Sequence, residues 1–345
     1  MHPVLFTLPV PWVAAFFGAV AGALVGAWAG SAGGGGRLRT GALAVGVALV
    51  GGGLGLLLWP PGAEPLPVYG YGAMLGASIV AGWFGVMALG TRRERLGREQ
   101  LAGAFWVTAL CALIGARALF IATNVELLMT PSRWLAIREG GLVAYGGFLG
   151  GLFGGWLYWR KRQVSLLVWG DLAAPVLGLG LGLTRIGCYL HGCDFGRPLS
   201  AGAPEWLRAL GTFPEGSPAY LQALAHGLSR TARTSLPVHP TQLYESLGGF
   251  VLFAVALLVW RRRAFRGQAL LAVTVLYGVL RFLLEWVRDD PQRGAAFGLS
   301  TSQLISLFLV PWAGWLYLTR LRRTDAARVD HRAPLTASGG AVGDE

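Results

Sequence analysis

Charge is what this chain has least of. Only 13% of its 345 residues are charged, against roughly 25% in an average soluble domain, so its surface has about half the usual solvating capacity. The 17 acidic residues are outnumbered by 29 basic ones. All but one of the basic residues are arginine, the exception being Lys161. Cysteine is also rare. Cys111, Cys188 and Cys193 are the only three, too few for a secreted disulfide scaffold. The first apolar segment lacks a basic n-region and a clear small-residue cleavage site, so it reads as a retained span and not a cleaved signal peptide. Together these absences exclude a disordered chain, a disulfide-stapled secreted domain and a soluble enzyme.

Apolar and small residues fill the gap. The chain is 54% hydrophobic, with 53 glycines and 14 tryptophans. Runs of about 20 apolar residues cross a hydrocarbon core, and nine occur, near 4–30, 38–59, 68–90, 101–122, 141–159, 168–189, 243–260, 268–287 and 301–318. Paired glycines such as Gly146-Gly147, Gly150-Gly151 and Gly154-Gly155 would be costly in a soluble helix but let membrane helices approach closely. The expected fold is all-α, a polytopic transmembrane bundle of about nine spans with an outer-surface loop region over 190–240. In that loop Trp206, Leu207, Leu210, Leu221, Leu224 and Leu228 alternate with polar residues, the composition of interfacial helices.

The loops sort by charge. Eighteen basic residues fall on alternate loops and the C-terminal tail, including Arg92, Arg93, Arg95, Arg98, Arg160, Lys161, Arg162, Arg261, Arg262, Arg263 and Arg266, while eight fall on the opposite loops. The bias predicts an outside N-terminus and a cytoplasmic C-terminus. Topology therefore accounts for most of the net charge of +12, and nucleic acid is not needed as a partner. Three arginines remain inside apolar runs: Arg117, Arg185 and Arg281. An arginine at membrane depth costs a few kcal/mol and must face protein or a wet cavity. Two explanations are open, an intramembrane ion pair with Glu285 or Asp171, or an anion site, for which the planar guanidinium fork suits phosphate.

Polar residues crowd the end of the sixth run, Thr184-Arg185-Ile186-Gly187-Cys188-Tyr189-Leu190-His191-Gly192-Cys193-Asp194-Phe195-Gly196-Arg197-Pro198. The outer loop closes on His239-Pro240-Thr241-Gln242-Leu243-Tyr244-Glu245, and the eighth run ends Arg281-Phe282-Leu283-Leu284-Glu285-Trp286-Val287-Arg288. In the latter, Arg281, Glu285 and Arg288 recur at helical spacing, and Glu285 is placed to orient either arginine. These stretches, in this order, resemble the prolipoprotein diacylglyceryl transferase family. Tyr69-Gly70, Arg117, Gly140-Gly141, Gly146-Gly147, Asp171 and Ala174-Pro175 add to the likeness. It covers residues 66–320, seven spans. A similar His2-Pro3-Val4-Leu5-Phe6 opening stands within residues 1–65, which otherwise look like two added spans, and residues 321–345 read as a disordered cytoplasmic tail.

The resemblance implies a bacterial inner-membrane enzyme that transfers a diacylglyceryl group from phosphatidylglycerol to the lipobox cysteine of a preprolipoprotein, releasing glycerol phosphate at the outer leaflet. No cofactor and no metal are implied. Arg185 and Arg281 are expected to stabilise the phosphate, with Tyr145 or His191 as base. Tyr69, Arg117, Gly146, Gly147, Gly187, Cys188, Gly196, His239 and Glu285 are expected to bind or position substrate, with His239 also readable as a structural residue before Pro240. The chain departs from the family in carrying Tyr145 where a histidine usually precedes Gly-Gly, and Cys188 where the signature has asparagine. Near Cys193 the family has a carboxylate or amide, for which Asp194 stands next door. These departures leave open a diverged paralogue that binds anionic lipid with lost or altered transfer. Cys188, His191 and Cys193 also admit a membrane thiol–disulfide oxidoreductase. Two thiols and one imidazole fall one ligand short of a structural zinc site, which leaves a disulfide or free thiols, and Cys111 reads as a small packing residue.

Overall fold

The computed structural model describes residues 4–8, 66–124, 126, 129–130, 134, 141–229, 231–288, 295–296 and 298–330. Two compact units divide the chain, Met1–Ala73 and Met74–Glu345. The first holds an antiparallel pair, β1 (Val4–Leu8) and β2 (Leu66–Tyr69), with Val4 opposite Tyr69 and Leu8 opposite Leu66. This corrects the expected first span at its start, since residues 4–8 are strand and not helix. Pro3 and Pro9 bracket this segment. The residue before a proline is pushed out of the helical region, while Val4, Phe6 and Thr7 favour a pleated backbone. The rest of that span, and the one expected at 38–59, lie outside the described residues.

Seven long helices follow: α1 (Gly70–Arg92), α2 (Arg98–Thr123), α3 (Ala144–Arg160), α4 (Leu166–His191), then α7 (Thr241–Arg262), α8 (Gln268–Glu285) and α9 (Thr301–Asp330). Between α4 and α7 the 190–240 loop forms two short helices, α5 (Glu205–Leu210) and α6 (Pro218–Ala225), as its apolar spacing predicts. A two-residue ladder, β3 (Ala295–Ala296) with β4 (Leu299–Ser300), precedes α9. Six of the long helices, all but α3, are long and apolar enough to cross a membrane. The 17 residues of α3 match about the shortest run that spans. The described residues thus carry seven of the nine expected runs as helices. α9 continues through Asp330, so the first part of the expected disordered tail is helical; its run of leucines, arginines and alanines favours helix.

Large apolar side chains such as Phe84, Trp106, Leu149, Phe153 and Phe308 point outward, where a soluble protein would place charge. Small residues take the inside instead. α3 lies against α2 along Gly146, Gly150 and Gly154, one face of a helix at a four-residue repeat. A β-carbon on Gly150 would strike the backbone of Cys111 and Gly115, and one on Gly154 the Cys111 side chain. Cys111 is accordingly a packing residue. α4 and α7 repeat the device, with Gly178 and Gly182 against Gly249 and the Phe253 backbone, and Ser246 Oγ donating to the Gly182 carbonyl at 2.9 Å.

At the arginine-rich ends of these helices a core of Trp159, Trp169, Trp260, Leu101 and Leu172 is closed by Asp171. The Asp171 carboxylate accepts from the backbone N–H of Gly267, Ala269 and Leu270 at 2.8, 2.9 and 3.2 Å. It also receives Arg263 at 3.1 Å, and Arg263 reaches Glu94 at 2.5 Å. Arg93 donates to the Trp260 carbonyl at 2.6 Å. Asp171 therefore pairs with a loop arginine and caps α8; it is not the partner of a mid-span arginine. At the other end α4 stops at Gly192, φ +79°, where the Gly192 N–H reaches Tyr189 O and the Cys193 N–H reaches Cys188 O. This turn folds residues 193–198 back over the bundle.

The glycine contacts predict a contrast. Gly150→Ala should destabilise the chain by about 1–3 kcal/mol through overpacking, read as a lower Tm in detergent. Gly76→Ala, with nothing within 4 Å of the new carbon, should leave Tm unchanged or slightly raised.

Candidate active site

Four segments meet beyond the end of α4: the loop after Gly192, the start of α7, the end of α8 and the start of α9. The His239-Pro240-Thr241-Gln242 run fastens the loop. Thr241 Oγ1 donates to the Asp194 carbonyl at 2.7 Å, and Gln242 Nε2 to that of Cys193 at 2.5 Å. The Gly196 N–H reaches the His239 carbonyl at 2.9 Å, and the Arg197 N–H reaches Val287 O at 2.8 Å. Gly196 sits at this crossing because a β-carbon there would meet Val287 O, Thr241 Cγ2 and His239 Cβ. His239 thus works first through its backbone. Its imidazole lies 3.4 Å from the Tyr244 hydroxyl, and burial pushes it down, keeping it neutral at neutral pH.

Glu245, one turn into α7 and 4% exposed, is the hub. It receives Arg185 Nε, Arg288 Nη1 at 2.9 Å and Arg281 Nη1 at 3.4 Å. Asp194 bridges Arg185 at 2.7 Å and Arg288 at 2.6 Å. Arg281 is further held by Glu285 at 2.7 Å and by Ser302 Oγ at 3.3 Å. Three guanidiniums and three carboxylates therefore interlock in a region mostly shut off from solvent. Its open edge is at Asp194 and Arg185, whose side chains are 30% and 18% exposed. Tyr277, one turn before Arg281, lies in the field of Glu245, Arg281 and Arg185, and Tyr145 is near enough to act on Tyr277.

The expected residues divide. Arg185, Arg281 and Glu285 come together, and Tyr145 lies within electrostatic reach of Tyr277. Of the two explanations offered for the buried arginines, the ion pair holds at Arg281, which meets Glu285. Arg117 is elsewhere occupied, donating to the carbonyls of Trp134 at 2.9 Å and Gly141 at 3.0 Å and lying over the Phe120 ring. Gly146 and Gly147 face α2, and Gly187 is buried in α4. Tyr69 closes β2 in the first unit. His191 is exposed at the last turn of α4. Glu245 and Tyr277 are the participants not expected from the sequence, while Asp194 and Arg288, visible there as a stand-in carboxylate and as a face-mate of Arg281, join the cluster through Glu245 and each other. Tyr277 had a signal in its i, i+4 spacing to Arg281.

Cys188 and Cys193 are both free thiols. With Asp194, and not His191, they form a group whose ligand atoms lie within 4.8 Å of one another. Asp194 commits both oxygens to arginine, which leaves two ligands, short of a zinc site. Arg185 Nη1 stands 3.8 Å from Cys188 Sγ, and a hydrogen bond from the Cys188 thiol holds Cys193 below the ordinary thiol range.

Comparison with known proteins agrees with this geometry. The family model described as "Prolipoprotein diacylglyceryl transferase" matches residues 62–319. A phosphatidylglycerol–prolipoprotein diacylglyceryl transferase of Clostridium tetani is 32% identical over 248 residues, covering 71% of this chain and 90% of its own. One of Xanthomonas axonopodis pv. citri is 34% identical over 287 residues, covering 75% of this chain and 89% of its own.

Because Glu245 neutralises three buried cations, Glu245→Gln should cost about 3–5 kcal/mol and appear as a Tm drop in detergent. Glu205→Gln, on the short exposed helix α5, should be silent in the same measurement.

Proposed function

The chain belongs to the prolipoprotein diacylglyceryl transferase family, multi-pass membrane transferases of lipoprotein maturation, and we propose that it takes the diacylglyceryl group from phosphatidylglycerol and releases glycerol phosphate. The observation that carries this reading is the holding of Arg185 and Arg281 on one carboxylate, Glu245. A thiol must first lose its proton to act as nucleophile. The sulfur of the lipobox cysteine then attacks the glyceryl carbon that bears the phosphate. A C–S bond forms, the C–O bond breaks with its electron pair on the phosphate oxygen, and glycerol phosphate departs. Negative charge grows on that oxygen, and fixed donors already aimed at it lower the barrier without reorganisation. Glu245 and Glu285 hold the Arg281 fork in place before substrate arrives, and the open edge at Arg185 is where the headgroup enters.

For the thiol proton, Tyr145 is the better placed of the two candidates, since it lies near Tyr277 while His191 is exposed at the end of α4. Lipobox signal peptides reach the site from the outer side, where α5 and α6 expose Trp206 and Leu221. The arginine-rich ends of α1, α3 and α7 favour the cytoplasmic face of the bacterial inner membrane for the opposite end, with an outside N-terminus and a cytoplasmic C-terminus. Similarity to transferases leaves the oxidoreductase and silent-paralogue alternatives without support.

The test is expression in a bacterium depleted of its own transferase, followed by assay with phosphatidylglycerol labelled in its headgroup glycerol. Lipidation of a lipobox substrate with one labelled glycerol phosphate released per transfer is expected. Transfer without that release, or none despite correct insertion, refutes the donor assignment. Tyr145→Phe should slow transfer by about 10²-fold or more with KM for the donor little changed. A rate unchanged by Tyr145→Phe but lost in His191→Ala would move the base to His191.

A further inference from the structure

At the opposite end of α4 from the active site lies an open cavity of about 410 Å³. It is formed by the end of α3, the turn into α4 and the α7–α8 connection, and its lining includes Trp156, Trp159, Arg160, Gln163, Ser165 and Arg266. α4 begins at Leu166 and Arg185 stands 19 residues further on, so about 28 Å of helix separates this cavity from the Arg185 cluster.

Its chemistry favours an anion. Two arginines line it and no carboxylate does. Arg160 rests its guanidinium over the Trp156 ring at 5.0 Å, and neither Arg160 nor Arg266 meets a carboxylate among the described residues. The cavity borders the N-terminus of α4, where Ser165 caps the helix and the helix dipole attracts negative charge. A separate observation comes from Trp159. It is fully buried where it lines the cavity, and its indole Nε1–H has no acceptor among the described residues. A buried donor left unpaired costs about 1–3 kcal/mol, which a phosphate oxygen relieves once the ring turns that sealed edge into the cavity. Gln163 adds a backbone outlier at the same place, a non-glycine residue at φ +56°, and strain of that kind gathers at ligand clamps.

We infer that this cavity is a phosphate-binding site, separate from the transferase centre, whose occupant is a phosphate-bearing lipid headgroup or free phosphate. Arg160 and Arg266 clamp the oxygens, and Trp159 donates to one of them after its ring turns. The lipid source is the natural one by position. Trp156 packs against Phe153 with ring centroids 5.9 Å apart, and both rings are exposed on the outer face of α3, where acyl chains would lie. The surrounding end of the bundle carries Lys161, Arg162, Arg261 and Arg262 as well, the composition that attracts anionic lipid. Such a lipid would fasten the α3–α4 turn to the α7–α8 connection.

The full chain in neutral detergent is titrated with phosphatidic acid dissolved in the same detergent, and in parallel with inorganic phosphate, with Tm as readout. A saturable rise with phosphatidic acid is expected, preserved in Arg185→Ala/Arg281→Ala and shifted to at least about tenfold higher concentration in Arg160→Gln/Arg266→Gln. Trp159→Phe keeps the aromatic packing, removes the donor and should weaken the response severalfold. An equal rise with inorganic phosphate identifies free phosphate as the occupant of the same site. No saturable rise with either probe, an undiminished response in Arg160→Gln/Arg266→Gln, or an equal loss in the surface pair Arg92→Gln/Arg98→Gln overturns the proposal.

Discussion

Glu245 is the constraint on which the active end of this molecule depends. Its carboxylate is almost fully buried and receives guanidiniums from α4, α8 and the segment after α8. Charges cannot be taken out of water singly; each needs an opposite charge and hydrogen bonds to offset its desolvation. Once Glu245 is buried, Arg185, Arg281 and Arg288 must converge on it. Asp194 and Glu285 then complete the neutralisation, and the loop from Cys193 to Arg197 has to fold back to bring Asp194 within reach. The Gly192 turn, the close crossing at Gly196 and the hydrogen bonds from Thr241 and Gln242 are the local means of that return.

The same constraint gives the chemistry. Arginines that are free in solution reorganise as charge develops, whereas these are fixed by carboxylates before a phosphate arrives. The rest of the bundle is built to keep that arrangement at membrane depth. Large side chains face lipid, small ones let the helices touch, and Asp171 with Arg263 fastens the far end. The molecule therefore has two ionic knots joined by one long helix, α4. One knot is open at Asp194 and Arg185. The other is closed around backbone amides and has the cavity of Arg160 and Arg266 nearby.

Much of this was legible in the sequence, and the failures have physical reasons. Helices α1 to α4 and α7 to α9 follow from apolar run length, because a bilayer imposes a length that hydropathy reveals directly. Arg185 and Arg281 stood out because arginine in an apolar run needs a justification. Arg117 met the same test, but its justification is two backbone carbonyls near the α2 end. The roles of Glu245 and Arg288 were hidden because their partners lie 36 to 94 residues away along the chain, and because Arg288 sits just past a helix end, where it passes for a topological charge. Asp194, nine residues from Arg185, was visible only as a carboxylate beside Cys193. The thiols misled by linear spacing. Cys188-x2-His191-x-Cys193 suggests one cluster, but the left-handed Gly192 brings Asp194 to the sulfurs and leaves His191 outside. Residues 4–8 became strand because flanking prolines outweigh hydrophobicity over so short a segment.

The central claim is that the guanidinium fork held by Glu245, and not positive charge alone, stabilises the departing phosphate. The most direct measurement is the single-turnover rate of diacylglyceryl transfer to a lipobox peptide by Arg281→Lys in phosphatidylglycerol proteoliposomes. Lysine keeps the charge but loses the planar fork. The account predicts a fall of about 10²-fold or more with the helical content unchanged; a rate close to that of the unaltered chain would contradict it.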